Sequence, residues 1–444
     1  MDRLHSFSGL VKNEYIKIYK KTSTRILFVI FIAIVICYPG IAKLVNNSAM
    51  SELGKYNDNN DWRETSIQED ITKLKNSDDK NGLAKYKTEA LEAVDTTKEW
   101  QYNAAVHAML LKKPDDKQDI QKITMMIKTD DWRGYCKYRK ENAAGEGEAW
   151  SMQYRLDHDV PFDGEEYEKE NKIISEVSSA LDGVDDGVSN LSAADRVIVG
   201  KYMLDNKIYD NTSEISTSLT VLDPYEKFSF WDVLMKTPFL VSGIGYIMLA
   251  LAGSCVANEF SQGTIKFLLI NPVSRWKILM AKYFTVISMG FILMIVTLLL
   301  SIPMTGVFFG FNGISAPYLA VEGGDVVVKS TYIYLFKTYL IASVGMVVMA
   351  TMAFMISCLA KSSVLAIIIG FVMNSVGGTI TMIMNAFHLD WGRYFIFANT
   401  DLLSIYNGAS QFAHHTVGFA LMVIAAHMAV FMLTAWDAFT RRSV

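Results

Sequence analysis

The sequence predicts an all-α membrane protein, with six transmembrane helices and a large, mostly helical extracellular domain inserted between the first and second spans. Three observations lead there. Of the 444 residues 51% are hydrophobic, and the long uncharged runs gather at the start and across the second half. Six of these runs reach the roughly 20 residues that a helix needs to cross a bilayer. The stretch between the first and second, residues 46–230, is polar and holds about 37 acidic and 24 basic residues, against 9 and 18 in the remainder. An acidic lobe beside basic membrane-flanking segments is the split that the positive-inside bias leaves.

Residues 1–25 carry Leu4, Phe7, Leu10, Val11, Tyr15 and Ile18 at helical spacing, with Lys12, Lys17, Lys20, Lys21 and Arg25 filling much of the other face. This pattern predicts a helix lying in the cytoplasmic interface of the membrane. The competing reading is a soluble amphipathic helix packed on a partner. Residues 26–45, Ile26 to Val45, then form the first span, with Lys43 snorkelling at the far side. The run has no small-residue cleavage site after it, so it is read as a retained span rather than a signal peptide.

The domain at 46–230 is poor in Gly and Pro and rich in helix formers. The candidate helices are Arg63–Lys75, Gly82–Lys112, Asp115–Lys128, Glu165–Leu181 and Ser192–Leu204. Pro114-Asp115 and Ser192 read as helix starts and Asp182-Gly183 as a stop. Trp62, Trp100, Trp132 and Trp150 are the expected core anchors. Of the four cysteines (Cys37, Cys136, Cys255 and Cys358) only Cys136 lies here, so no disulfide within one chain can brace this domain.

Residues 231–444 supply spans two to six, near Pro238–Ala257, Tyr283–Gly310, Tyr332–Leu359, Val364–Ala386 and Val417–Trp436. Trp231, Trp276, Trp391 and Trp436 fall at span ends, where indoles favour the headgroup region. Lys266, Arg275, Lys277 and Lys282, then Lys361, then Arg441-Arg442 mark one side. Together with the basic start they put both termini in the cytoplasm of a multi-pass cell-membrane protein, and the lobe outside.

Residues 258–282, Asn258 to Lys282, are the informative stretch. Phe260, Ile265, Phe267, Leu268, Leu269 and Ile270 are too apolar for a free loop, whereas Glu259, Lys266, Arg275 and Lys277 are too charged for a span. The expectation is an interfacial helix along the cytoplasmic face, with Gly263 easing a turn and Pro272 ending the helix. A partner could grip such a segment; anchorage to anionic headgroups is the plainer alternative.

Glu259-x-x-x-Gly263-Thr264-Ile265, Leu268, Pro272-Val273-Ser274-Arg275, Ile278 and Lys282 resemble the coupling segment of type-2 ABC exporter permeases. Arg393-Tyr-Phe-Ile-Phe-Ala-Asn399-Thr-Asp401 resembles that family's outer loop between its last two spans. The likeness covers most of the chain except the lobe. A large first outer loop departs from the usual pattern and is closer to peptide-toxin exporters of the phenol-soluble-modulin kind. The resemblance implies a homodimer bound to two separate cytoplasmic ABC ATPase subunits, which would carry the ATP and magnesium; no cofactor is expected in this chain. Glu259, Phe260, Gly263, Thr264, Lys266, Pro272, Ser274, Arg275 and Lys277 would then be the ATPase-coupling residues.

No Gly-x4-Gly-Lys-Ser/Thr or His-Glu-x-x-His motif occurs, and His414-His415 is not a helical metal spacing. No catalytic residues, metal site or nucleic-acid partner are expected. Acidic or basic residues are missing from the depths of the five later spans, apart from Lys337 near an outer end, which weighs against a secondary transporter. A membrane-bound sensor whose outer lobe binds a ligand is the other rival; it calls for a cytoplasmic output domain, and eight residues follow Trp436. Ser288, Thr351, Ser357, Asn374, Thr381 and His427 are expected to make helix-to-helix hydrogen bonds or packing contacts, and Gly306-x3-Gly310 and Gly377-Gly378 to permit close backbone approach. Spans rich in Met, Phe and Ile suit an amphipathic peptide or lipid-like cargo.

Overall fold

The computed structural model describes residues 7–57, 61–76, 82–184, 191–209, 228–263, 273–360 and 362–441. Thr264, Ile265, Lys266, Phe267, Leu268, Leu269, Ile270, Pro272, Lys361 and Arg442 lie outside the described residues. The chain divides into two compact units, one of residues 1–43, 229–314 and 331–444, the other of residues 44–228 and 315–330.

Six helices of the described residues are long and apolar enough to cross a membrane: Thr22–Glu52, Phe230–Ser261, Arg275–Phe309, Thr331–Leu359, Ser363–Ala386 and Val417–Arg441. The protein is thus an all-α membrane protein, as the hydropathy pattern predicts. The second and fourth helices are about two-thirds buried, whereas the first, fifth and sixth are 28%, 22% and 17% buried. The former pair is therefore the centre of the bundle and the latter three its periphery, where Val29, Ile41, Leu44, Val364, Met382, Met422 and Leu433 are exposed. Exposed aliphatic side chains of this kind suit a hydrocarbon environment.

Methionine and glycine build the centre. A Cβ on Gly245 would lie 3.0 Å from the Met349 sulfur, and one on Gly290 would lie 3.0 Å from that of Met346. The flexible thioether fills the room that each glycine leaves. Polar side chains then stitch helix to helix. Tyr283 and Thr351 hydroxyls lie 2.9 Å apart, and Asn374 donates to the Tyr246 hydroxyl at 3.3 Å. Thr381 instead bonds back to its own helix at Gly377, and His427 Nδ1 lies 2.8 Å from the Val423 carbonyl one turn before it.

Between the fifth and sixth spans the chain re-enters the bundle. The Thr400 carbonyl sits where a Cβ on Gly345 would be, 2.4 Å away, and Gly345 is at the middle of the fourth span. The Phe397 ring packs on Gly377 in the same way. Gly378, by contrast, faces open space. Gly306 accommodates the Phe311 ring, and Gly310 ends the third span with φ at +80°. Gly306 and Gly377 thus each receive an aromatic ring rather than a neighbouring backbone, and among the described residues nothing lies within 4 Å of a Cβ on Gly310 or Gly378.

In the second unit, helices Asp61–Lys75, Ala84–Glu92, Glu99–Leu110, Lys117–Thr129 and Trp132–Glu141 enclose one core of Ile67, Leu91, Trp100, Ile120, Ile123, Ile127 and Tyr135. Helices Glu146–His158, Glu168–Leu181 and Ala193–Asp205 enclose another, around Tyr154, Ile174, Val177, Val199 and Met203. Ser192 caps its helix by accepting from the Asp195 amide, and Gly183 follows its helix with φ at +71°.

Several expectations need correction. The predicted helix Gly82–Lys112 is two, because Asp95 folds its carboxylate onto the Thr97 amide and hydroxyl and turns the chain. Trp132–Glu141 and Glu146–His158 are helices that the sequence reading left unassigned. Trp62 is exposed rather than in the core, and Trp231, at the start of the second span as expected, is buried with its indole donating to the Gly313 carbonyl at 2.7 Å. The connection after the third span carries an antiparallel hairpin, β1 (Tyr318–Glu322) and β2 (Asp325–Lys329), which belongs to the second unit: Leu319 is buried in the Val177 and Val199 core. Finally, the third span starts at Arg275 rather than Tyr283, so Arg275 to Lys282 continue the span as one helix and are not part of a separate interfacial one.

A clash with a backbone carbonyl cannot be relieved by a side-chain rotation. Gly345→Ala is therefore expected to destabilise the purified protein by about 1–3 kcal/mol, the range for overpacking, and Gly378→Ala to be neutral. Thermal melts in detergent check this; equal melting of the two variants would contradict the re-entrant packing.

Candidate functional site

The segment singled out by the sequence meets the N-terminal helix in a small cluster of charges. Helix Phe7–Lys20 packs along the start of the third span, where the Phe7 and Phe284 rings lie 6.2 Å apart and the Tyr15 and Ser288 hydroxyls 2.5 Å apart. Its apolar face includes one acid. Glu14 falls between Leu10, Val11, Tyr15 and Ile18, and it is the buried residue of that helix.

Lys282 is what it meets. The ammonium is 1% exposed and donates to Glu14 Oε2 at 2.9 Å and to Glu259 Oε1 at 3.0 Å. Lys17, half exposed, closes the cluster from outside by donating to Glu14 Oε1 and Glu259 Oε1, both at 3.1 Å. Two carboxylates and two ammoniums thus alternate with no net charge. Burying an ion is tolerable only when its partners are buried with it, and here each buried charge has at least two opposite ones. The exposed Lys17 contributes less, since solvent screens it.

Glu259 reaches the cluster because the second span breaks before it. Val256 interrupts the helix, and Ser357 of the fourth span accepts from the amides of Val256 and Ala257, both at 3.0 Å. A buried hydroxyl thereby satisfies amides at the break and sets the direction of the short helix Ala257–Ser261. Gly263 follows with φ at +69°, as the turn expected there requires.

The remaining predicted coupling residues are spread along this face. Phe260 is half-buried, while Ser274 and Lys277 are exposed. Arg275 donates through Nη1 to the Thr440 carbonyl at 2.7 Å, satisfying an end carbonyl of the sixth span. Thr264, Lys266 and Pro272 lie outside the described residues. Glu259 is not the surface residue that a loop would make it: its side chain is 13% exposed and bridges two lysines. Lys17 enters the sequence reading only as part of a basic face and Glu14 does not enter it, although an acid on the apolar face of a lysine-rich helix is the signal that points to both.

The second stretch of resemblance is a structural corner. Asn399, fully buried, donates to the carbonyls of Arg393 at 2.9 Å and Phe395 at 2.8 Å. Its Oδ1 lies 2.9 Å from His415 Nε2, so that nitrogen is the donor, leaving Nδ1 to accept from Ser410, also at 2.9 Å. Burial, and then the Arg393 charge, hold His415 below the ordinary imidazole range, consistent with this neutral form. Asp401 caps helix Leu402–Tyr406 by accepting from the Ser404 amide at 3.1 Å. Lys337 donates to the Tyr406 hydroxyl at 2.8 Å. No metal-holding group of His, Cys, Asp and Glu occurs among the described residues.

Lys282→Met should leave two buried carboxylates facing one another with only an exposed lysine between them, and destabilise the protein by about 3–5 kcal/mol. Adding Glu14→Gln to that variant should recover part of the loss, with a coupling of about 1–3 kcal/mol in a double-mutant cycle followed by denaturant or thermal melts. Strictly additive losses would show that the two residues do not form the pair described.

Comparison with known proteins matches the membrane half to a family. Residues 208–444 match the family described as "Protein of unknown function (DUF2705)". Over 220 residues the chain is 34% identical to the uncharacterized protein YhcI of Bacillus subtilis (strain 168), covering 49% of this chain and 70% of that one. Over 217 residues it is 29% identical to the uncharacterized membrane protein YdbK of the same organism, covering 49% and 84%. No solved structure matches. With more than half of its length matched, the chain belongs to the DUF2705 family.

Proposed function

We propose that this chain is the membrane-spanning permease subunit of an ATP-driven exporter, working as a homodimer with separate cytoplasmic ABC ATPase subunits. It is not itself catalytic in this reading. The cargo is an apolar or amphipathic peptide, the lobe at residues 46–230 is extracellular, and both termini are in the cytoplasm of the cell that the membrane encloses.

The observation that carries the reading is the Glu259–Lys282 segment together with what it touches. A force applied by an ATPase near Gln262 would act on a short helix whose Glu259 is clamped to the third span through Lys282 and to the N-terminal helix through Lys17. Three elements then move as one, and Arg275 adds the end of the sixth span. That is the mechanical requirement for turning a cytoplasmic contact into rearrangement of spans.

Lys282 does not revive the secondary-transporter alternative. It lies two turns into its helix, and two carboxylates neutralise it, whereas a carrier needs a titratable group that exchanges its ion near mid-membrane.

The test is isolation of the tagged chain in mild detergent from the cells that make it. An ATP-hydrolysing subunit should co-purify, and Lys277→Ala, an exposed change with a stability effect within about 0.5 kcal/mol, should weaken that association. Replacing one charge at a protein contact can reduce affinity by about tenfold or more. Recovery of the wild-type chain without any ATPase would contradict the proposal.

A further inference from the structure

The second unit contains a cavity of about 480 Å³ that the exporter reading does not use. It opens between helices Glu146–His158, Glu168–Leu181 and Ala193–Asp205, and its size suits a small ligand or one large side chain. Val160 and Leu204, both buried, are its apolar floor. Tyr154, Tyr167, Tyr209 and His158 supply aromatic walls, with the His158 ring stacked on that of Tyr154 at 4.2 Å between centroids.

Charge decides what would enter. Of the carboxylates that line the cavity, Asp159 is already occupied by the Arg133 guanidinium. Glu170 is different. It accepts from the Tyr154 hydroxyl at 3.2 Å and from the Tyr209 hydroxyl, while the buried Arg155 guanidinium, which feels its charge, donates instead to Asn171 and the Pro161 carbonyl. Burial, and then the Glu170 charge, push both tyrosine hydroxyls above their ordinary range, so both remain donors. Asp205 adds a second carboxylate, and Lys207 a single ammonium, at the rim. The cavity therefore presents a carboxylate that accepts from two tyrosines, among aromatic rings. Rings whose faces carry negative potential, beside a carboxylate, are the arrangement that recognises an organic cation and rejects an anion.

We propose that this cavity binds an organic cation, an alkylammonium or guanidinium group, with Glu170 as its counter-ion. The site belongs to the lobe alone and holds whether or not the chain is an exporter. Two sources offer that chemistry: a lysine or arginine side chain of a basic peptide, and a free small cation.

The full-length protein in detergent is titrated, without ATP or any ATPase, with a fluorescently labelled lysine-rich amphipathic peptide at physiological salt. Tetramethylammonium chloride and arginine amide are then added as competitors, with sodium chloride at equal ionic strength as the control. Saturable peptide binding that the organic cations reverse, and sodium does not, is the expected result. Glu170→Gln should weaken binding about tenfold or more, as expected for loss of a charge-assisted contact, while Glu141→Gln, an exposed carboxylate elsewhere in the lobe, leaves it unchanged. Peptide binding much tighter than either small cation identifies a side chain as the source; equal affinities identify the free cation. The proposal is overturned if no probe binds saturably, if sodium competes as well as the organic cations, or if the two carboxylate variants lose the same amount. The competition arm uses the unaltered protein, so it decides even if Glu170→Gln fails to fold.

Discussion

A lysine buried at the third span is the constraint around which the membrane half is arranged. Lys282 cannot be left unpaired where it lies, because an isolated ammonium in a low-dielectric setting is unstable by several kcal/mol. Its two carboxylates come from places distant in sequence, Glu14 at one end of the chain and Glu259 at the end of the second span. Satisfying one charge therefore fixes an amphipathic helix against the bundle and requires the second span to break at Val256. Ser357 on the fourth span makes that break tolerable by accepting from two backbone amides at once. An apolar residue at position 282 would leave each of these elements with less reason to be where it is.

This arrangement explains how the short helix Ala257–Ser261, at the end of the second span, is held against its neighbours. Apolar contacts among Leu, Ile and Met tolerate exchange of one aliphatic side chain for another of similar volume. A closed ring of ion pairs is not forgiving, since a shift of a few ångströms uncovers a charge. The cluster thus serves as a register pin between the N-terminal helix and the spans. In the exporter reading, the same pin transmits motion.

The broad architecture was legible in the sequence because bilayer thickness imposes a length on every span, and the fourth, fifth and sixth spans start within about one residue of the expected positions, while the second, with the turns that precede Leu240, starts earlier, at Phe230. The third was placed eight residues late because Lys277 and Lys282 look like the end of a span, whereas a helix can carry a buried lysine when carboxylates from elsewhere meet it. Within the lobe, helix starts at Pro114 and Ser192 were readable from their caps. The Gly82–Lys112 break was not, since Asp95 acts through a local turn rather than through Gly or Pro. The hairpin at Tyr318–Lys329 and the cavity at Glu170 were illegible for a different reason. Both depend on which residues far apart in the chain come together, as when Leu319 joins the core formed by Val177 and Val199. The candidate site was half legible: Glu259 and Lys282 stood out, but their partner Glu14 was hidden in a helix read only for its lysines and apolar residues.

The claim on which the functional account turns is that the chain just after Glu259 faces a cytoplasmic ATPase. Gln262 is exposed and stands outside the ion cluster, so a photoreactive amino acid can replace it with little risk to the fold. Irradiation of intact cells should join position 262 to an ATP-binding subunit, with a yield that changes when nucleotide is depleted. Adducts with lipid alone, or labelling of this position by a reagent that cannot cross the membrane, would contradict the account.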